Sequence, residues 1–130
     1  MDSVVVLGSR LNGVIVRDLD RTGQAPPNRA LIEVTGPGLS ATRWVDGDPD
    51  FSRLLEFLAS VERDWRGWAG SRRWTNPEGQ MVLTAVHTGA HVRVEATLER
   101  VDRWKVYAGV VIGPGEDITN ALRTARELFE

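Results

Sequence analysis

From Val92 to Glu99 the sequence alternates strictly: Val92, Val94, Ala96 and Leu98 fall on one parity, and Arg93, Glu95, Thr97 and Glu99 on the other. Successive side chains of a strand point to opposite faces, so this run specifies a β-strand with one face against a core and one face in water. A sheet wetted on one side is of the antiparallel kind, because parallel sheets are covered on both faces. The neighbouring segments obey the same rule. Met81, Leu83 and Ala85 alternate out of a turn signal at Asn76-Pro77-Glu78-Gly79, and Trp104, Val106, Ala108, Val110 and Ile112 make a further apolar row. Short turns between the three runs predict a meander.

Strand signals also open the chain. Ser3 to Leu7 and Gly13 to Leu19 are β-branched and apolar, with Leu11-Asn12-Gly13 as the turn of a hairpin. Asp20 to Asn28 collects Gly23, Pro26 and Pro27 among polar residues and reads as a surface loop, the most mobile stretch of the chain. Ala30, Ile32 and Val34 alternate with Leu31, Glu33 and Thr35 up to Gly36-Pro37-Gly38, and Leu39, Ala41 and Val45 continue as a fourth strand. The period then changes. Phe51, Leu54, Leu55, Leu58 and Trp65 share one helical face, with Asp48 as N-cap, Pro49 at the first helical position and an end near Trp65 to Gly67. A second amphipathic helix carries Ile118, Ala121, Leu122, Ala125 and Phe129 after the break at Gly113-Pro114-Gly115, with Glu116 and Asp117 at the positive end of its dipole. The order of strands, helix, strands, helix suggests two similar halves, although Trp44 and Trp104 stand at different distances from the helix that follows each. The expected fold is α+β in two layers: one twisted antiparallel sheet of about seven or eight strands with both helices packed on one side.

At 130 residues the chain is the length of a single domain, 1–130, and its 42% apolar and 26% charged content is that of an ordinary globular protein. A net charge of −2 offers no broad attraction to phosphate backbones or anionic lipid, so nucleic acid and membrane are not expected partners. No apolar run has the length of a membrane span, and Met1-Asp2-Ser3 lacks the basic start of a signal peptide, which makes a cytoplasmic protein the expectation. Cysteine is absent, which excludes disulfides, thiolate metal sites and cysteine nucleophiles. Every basic residue but Lys105 is arginine, so Schiff-base chemistry has a single candidate.

The densest constellation is Trp65-Arg66-Gly67-Trp68-Ala69-Gly70-Ser71-Arg72-Arg73-Trp74, three indoles and three guanidiniums at the corner between a helix and a strand. Its structural reading is indoles filling a core corner with arginines stacked on the faces left exposed, each such contact worth about 0.5–1 kcal/mol at a surface. Its functional reading is a recognition surface, since Trp and Arg are enriched among interface hot spots. The candidate binding residues are therefore Trp65, Arg66, Trp68, Arg72, Arg73 and Trp74. His87 and His91 bracket a turn at Thr88-Gly89-Ala90 and could supply two legs of a metal site across a hairpin, but two ligands without a third are incomplete.

Other apparent motifs dissolve. Asp46-Gly47-Asp48-Pro49-Asp50 resembles the start of a calcium loop, yet Phe51 and Phe57 occupy the places where glycine and glutamate are required. The two Gly-Pro-Gly turns lack the amide run of a phosphate cradle, and Ser9, Ser40, Ser52, Ser60 and Ser71 lack a nucleophile-elbow setting. Glu95 and Glu99 stand on the polar face of a strand, where charge is expected for solvation. No metal or cofactor is implied.

Asp64-Trp65-Arg66-Gly67-Trp68, then Trp74, Glu78-Gly79, His87, Gly89, His91-Val92, Trp104 and Pro114-Gly115-Glu116, with Gly36-Pro37-Gly38-Leu39-Ser40 earlier, resemble an actinobacterial family of unknown function, domain of unknown function 6228. The resemblance runs from about Ala30 to the C-terminus, and the family pattern has a slightly longer histidine turn. The order of strands and helices is similar to that of Wap-type immunity proteins, which neutralise contact-dependent toxins by binding them; the resemblance carries no catalytic residues. The expectation is a non-catalytic domain that binds a protein partner such as a toxin. The rival expectations are a small hydrolase or ligand-binding enzyme using His87, His91 and a carboxylate, and a structural domain that associates with copies of itself.

Overall fold

The described residues hold eight strands, which pair in chain order within two groups of four. In the computed structural model, which describes residues 2–20, 27–47, 51–113 and 115–130, the first sheet is a meander of β1 (Val4–Gly8), β2 (Gly13–Leu19), β3 (Arg29–Gly36) and β4 (Leu39–Asp46). Helix α1 (Ser52–Arg63) follows. The second sheet is a meander of β5 (Ser71–Thr75), β6 (Met81–His87), β7 (Val92–Arg100) and β8 (Trp104–Ile112), and α2 (Glu116–Phe129) ends the chain. All adjacent pairs are antiparallel.

The single sheet expected from the sequence is therefore corrected to two. Eight strands side by side would span about 34 Å at ~4.8 Å per gap, whereas two helices each ~10 Å across would cover only about 20 Å of it. The apolar rows left over need another cover. Each sheet finds it in the other: β3 and β8 approach one another, as do β4 and β7. Val14, Val16, Ile32 and Val34 of the first sheet, Leu83, Val94, Leu98 and Val110 of the second, and Leu58, Leu122 and Phe129 of the helices belong to one continuous core. The helices pack on each other, and the rings of Phe51 and Phe129 stack with centroids 4.5 Å apart.

The extra strand is β5, inside the tryptophan and arginine cluster, where alternation was masked by the charges. Only Trp74 of its residues is buried, and its row continues through Leu83, Ala96 and Ala108. The expected Asp48 cap, with Pro49, lies outside the described residues, as does most of the loop expected to be mobile, residues 21–26. The helix starts at Ser52, with Phe51 at the capping position in the left-handed conformation (φ 65°) and its ring in the core.

Polar side chains stitch the sheets together. Asn76, almost wholly buried, donates to Asp46 O (3.1 Å) and to Gln80 Oε1 (2.8 Å), and its Oδ1 accepts from the Met81 amide (3.0 Å). Arg43, which interrupts the inner row of β4, donates to Glu99 O across the gap (2.9 Å). At the far side Asn12, in the β1–β2 turn, donates to Thr35 O (3.3 Å) and to Gly109 O on β8 (3.1 Å). No helix among the described residues is long and apolar enough to cross a membrane.

Candidate functional site

Beyond Arg63 the chain leaves α1 through two tight turns, Trp65 N–H to Glu62 O (3.3 Å) and Gly67 N–H to Asp64 O (2.9 Å). Gly70, at φ 76°, then takes a left-handed conformation that admits the chain into β5. Arg72 anchors this corner. Its guanidinium donates to Ser60 O (2.8 Å) and to Asp64 Oδ2 (2.7 Å) and lies 4.6 Å over the ring of Trp68. The Arg72 hydrogen bond, followed by that from Arg63, holds the Asp64 carboxyl below its ordinary pKa.

His87 closes the corner from β6. Its ring meets Trp68 edge-on, with centroids 5.5 Å apart. Its Nδ1 accepts the Gly89 amide (3.1 Å), so the ring proton sits on Nε2, which donates to Trp65 O at 2.8 Å. Both ring nitrogens are thus committed to backbone partners. His91 lies just outside the ladder, because His87 pairs with Val92; its side chain is exposed and its carbonyl accepts from the amide and hydroxyl of Thr88. Among the described residues no group of three or more His, Asp or Glu side chains is arranged to hold a metal ion.

The six candidate residues do not form one surface. Trp74 is in the core. Trp68 is half-buried between Arg72 and His87, and its indole N–H is buried without a hydrogen bond. Arg73, adjacent to Arg72 on β5, faces the opposite side of the sheet and pairs across to Thr84. What the corner presents outward is Trp65, 38% exposed, with the Arg66 guanidinium 5.3 Å over its ring. Sequence reasoning gave Asp64 and Ser60, both of which accept hydrogen bonds from Arg72, no part in fixing it, and gave His87 a different task. The position of Asp64, directly ahead of the first indole and eight residues before Arg72, was the available signal.

A family model matches residues 8–130, and its description is a family of unknown function (DUF6228). The chain belongs to this family. The match begins at residue 8 rather than near Ala30, so the family pattern takes in β2 and β3 and all three stitches between the sheets, as well as the Trp65 corner. No curated protein and no solved structure matches the chain.

Proposed function

We propose that this family member is a non-catalytic protein-binding domain that presents Trp65 and Arg66 to a protein partner, and that the partner is a toxin which it neutralises as an immunity protein. The observation that carries the reading is an exposed indole on a braced backbone: the Trp65 carbonyl is held by His87, and Asp64 beside it is held by Arg72. An aromatic anchor that is ordered before binding loses little conformational entropy when a partner covers it. The similarity of the element order to Wap-type immunity proteins supplies the toxin as partner class, and fold-level likeness alone does not fix function.

The test is a pull-down from the native cytosol with wild-type protein, Trp65→Ala and Arg66→Ala. A partner retained by the wild type and lost by Trp65→Ala is the expected result. Equal retention by wild type and Trp65→Ala would sink the proposal. Self-association has an observation of its own, since the outer face of the second sheet exposes Val86 (39%), Tyr107 (56%) and Val111 (62%). A concentration-dependent mass abolished by Tyr107→Lys would favour that second reading.

A further inference from the structure

Two four-stranded sheets have four edge strands, and an uncovered edge is a template for pairing with another chain. Two of the four edges have neighbours. Helix α1 lies along β5, and β4 is stitched to β7 through Arg43 and Glu99. The other two, β1 and β8, face each other over α2 without pairing. They touch where Gly8 meets Val110, so closely that a Cβ on Gly8 would come within 2.6 Å of Val110 Cγ1. Beyond that point they bound an open groove of about 520 Å³.

The groove has a chemistry distinct from the core beneath it. Residues 5–9 wall it on one side and residues 110–112 on the other, and its floor is α2, from which Asp117, Asn120 and Thr124 line it. None of these three side chains makes a hydrogen bond or ion pair with a described residue. The β1 wall is bulged between Val5 and Leu7, which spoils it as a pairing template. The β8 wall is regular through Ile112. Asn12 already shows what this edge accepts: its side-chain amide donates to Gly109 O. Val111, two residues on, directs its backbone to the same side of the strand.

We infer that this groove is a strand-acceptor site: an extended segment of a partner protein pairs with the free edge of β8 and places a basic side chain against Asp117. A compact ligand is disfavoured because the groove is an open trough between two edge strands rather than an enclosed apolar pocket. Backbone pairing supplies affinity and the lone carboxylate supplies selectivity, the division of labour of β-strand addition. The site is separate from Trp65, so the two proposals stand or fall independently.

The probe is a blocked seven-residue peptide of alternating threonine and valine with a central arginine, titrated into the ¹⁵N-labelled full chain. Amide shifts are expected at Val110–Ile112 and from Asp117 to Thr124, and little at Trp65. Asp117→Lys is expected to weaken this peptide by about tenfold or more and to bind the central-glutamate counterpart better; Trp65→Ala leaves both unchanged. Backbone N-methylation of the peptide removes its donors and abolishes the shifts. The inference is overturned by no shifts at millimolar peptide, by undiminished binding of the N-methylated form, or by an unchanged preference in Asp117→Lys. A protein that is dimeric by itself with the groove amides protected would also overturn it, because a second copy would then be the occupant.

Discussion

The two halves of the chain repeat one plan, a four-stranded meander followed by a helix, but they carry it out differently. In the second half β6, β7 and β8 pair without a slip over their whole length. In the first half β1 and β2 are each interrupted, between Val5 and Leu7 and between Val16 and Asp18, and the inner row of β4 is broken by Arg43. The irregularities have a use. The bulge in β1 lets the consecutive residues Val6 and Leu7 both enter the core, and Arg43 reaches the other sheet. The regular half is a platform, and the irregular half is shaped to fit it.

If that is right, neither half folds alone. Phe129 at the end of the second half stacks on Phe51 at the start of the first half's helix, both fully buried. Phe129→Ala is expected to cost about 3–5 kcal/mol, and amide exchange should accelerate together in both sheets. Loss of protection in the second sheet alone would show two independent units and break the comparison. Asn76→Ala is the next largest. It strips the Met81 amide and Asp46 carbonyl of a partner in a buried seam, for about 2 kcal/mol or more at the lower end of ~1–3 per orphaned group. A denaturation midpoint moved by less than a quarter of that seen for Phe129→Ala would mean that the seam is not a structural joint.

The same contrast explains what the sequence disclosed. Val92 to Ala96 could be read residue by residue because regular pairing preserves period two from sequence to structure, whereas Thr97, expected on the wet face, is buried. β5 could not, because its parity is carried by Arg72 and Arg73, whose identical charges hide that one stacks on Trp68 and the other faces away. The division into two sheets was equally hidden, since alternation shows which face is buried and not what buries it. At the candidate site the indoles and guanidiniums announced themselves, whereas the job of His87, bracing the Trp65 carbonyl, depends on a contact between residues 22 apart in sequence. Nothing in local spacing encodes such a contact.

Gly8 tests the join between β1 and β8. It sits at φ 73°, and a Cβ there would collide with the Asn12 carbonyl and with Val110. The backbone conformation alone costs a non-glycine residue about 1–3 kcal/mol. Gly8→Ala should therefore destabilise by about 2 kcal/mol in chemical denaturation and shift the amides of Gly109 and Val110. A neutral outcome would mean that β1 can move away from β8 freely, and the groove they bound would then have no fixed width.

The smallest effect is the pH response of the Trp65 corner, which belongs to the joint between α1 and the second sheet. Asp64 is held in its charged form chiefly by the Arg72 hydrogen bond, so its folded pKa lies below the unfolded one. A group of that kind adds stability that is present above the unfolded pKa and is lost as pH falls through the folded value. The contribution should thus be constant near neutrality and fade only under acid, below the ordinary carboxylate range. The check is a side-chain ¹³C titration of Asp64 in wild type and in Arg72→Gln. Its midpoint should rise toward an ordinary aspartate in the variant, and the Trp68 ring resonances should move at neutral pH because the stacked cation is gone. An unchanged midpoint would place the control of Asp64 with Arg63, the other guanidinium on that carboxylate, and would leave Arg72 as packing alone.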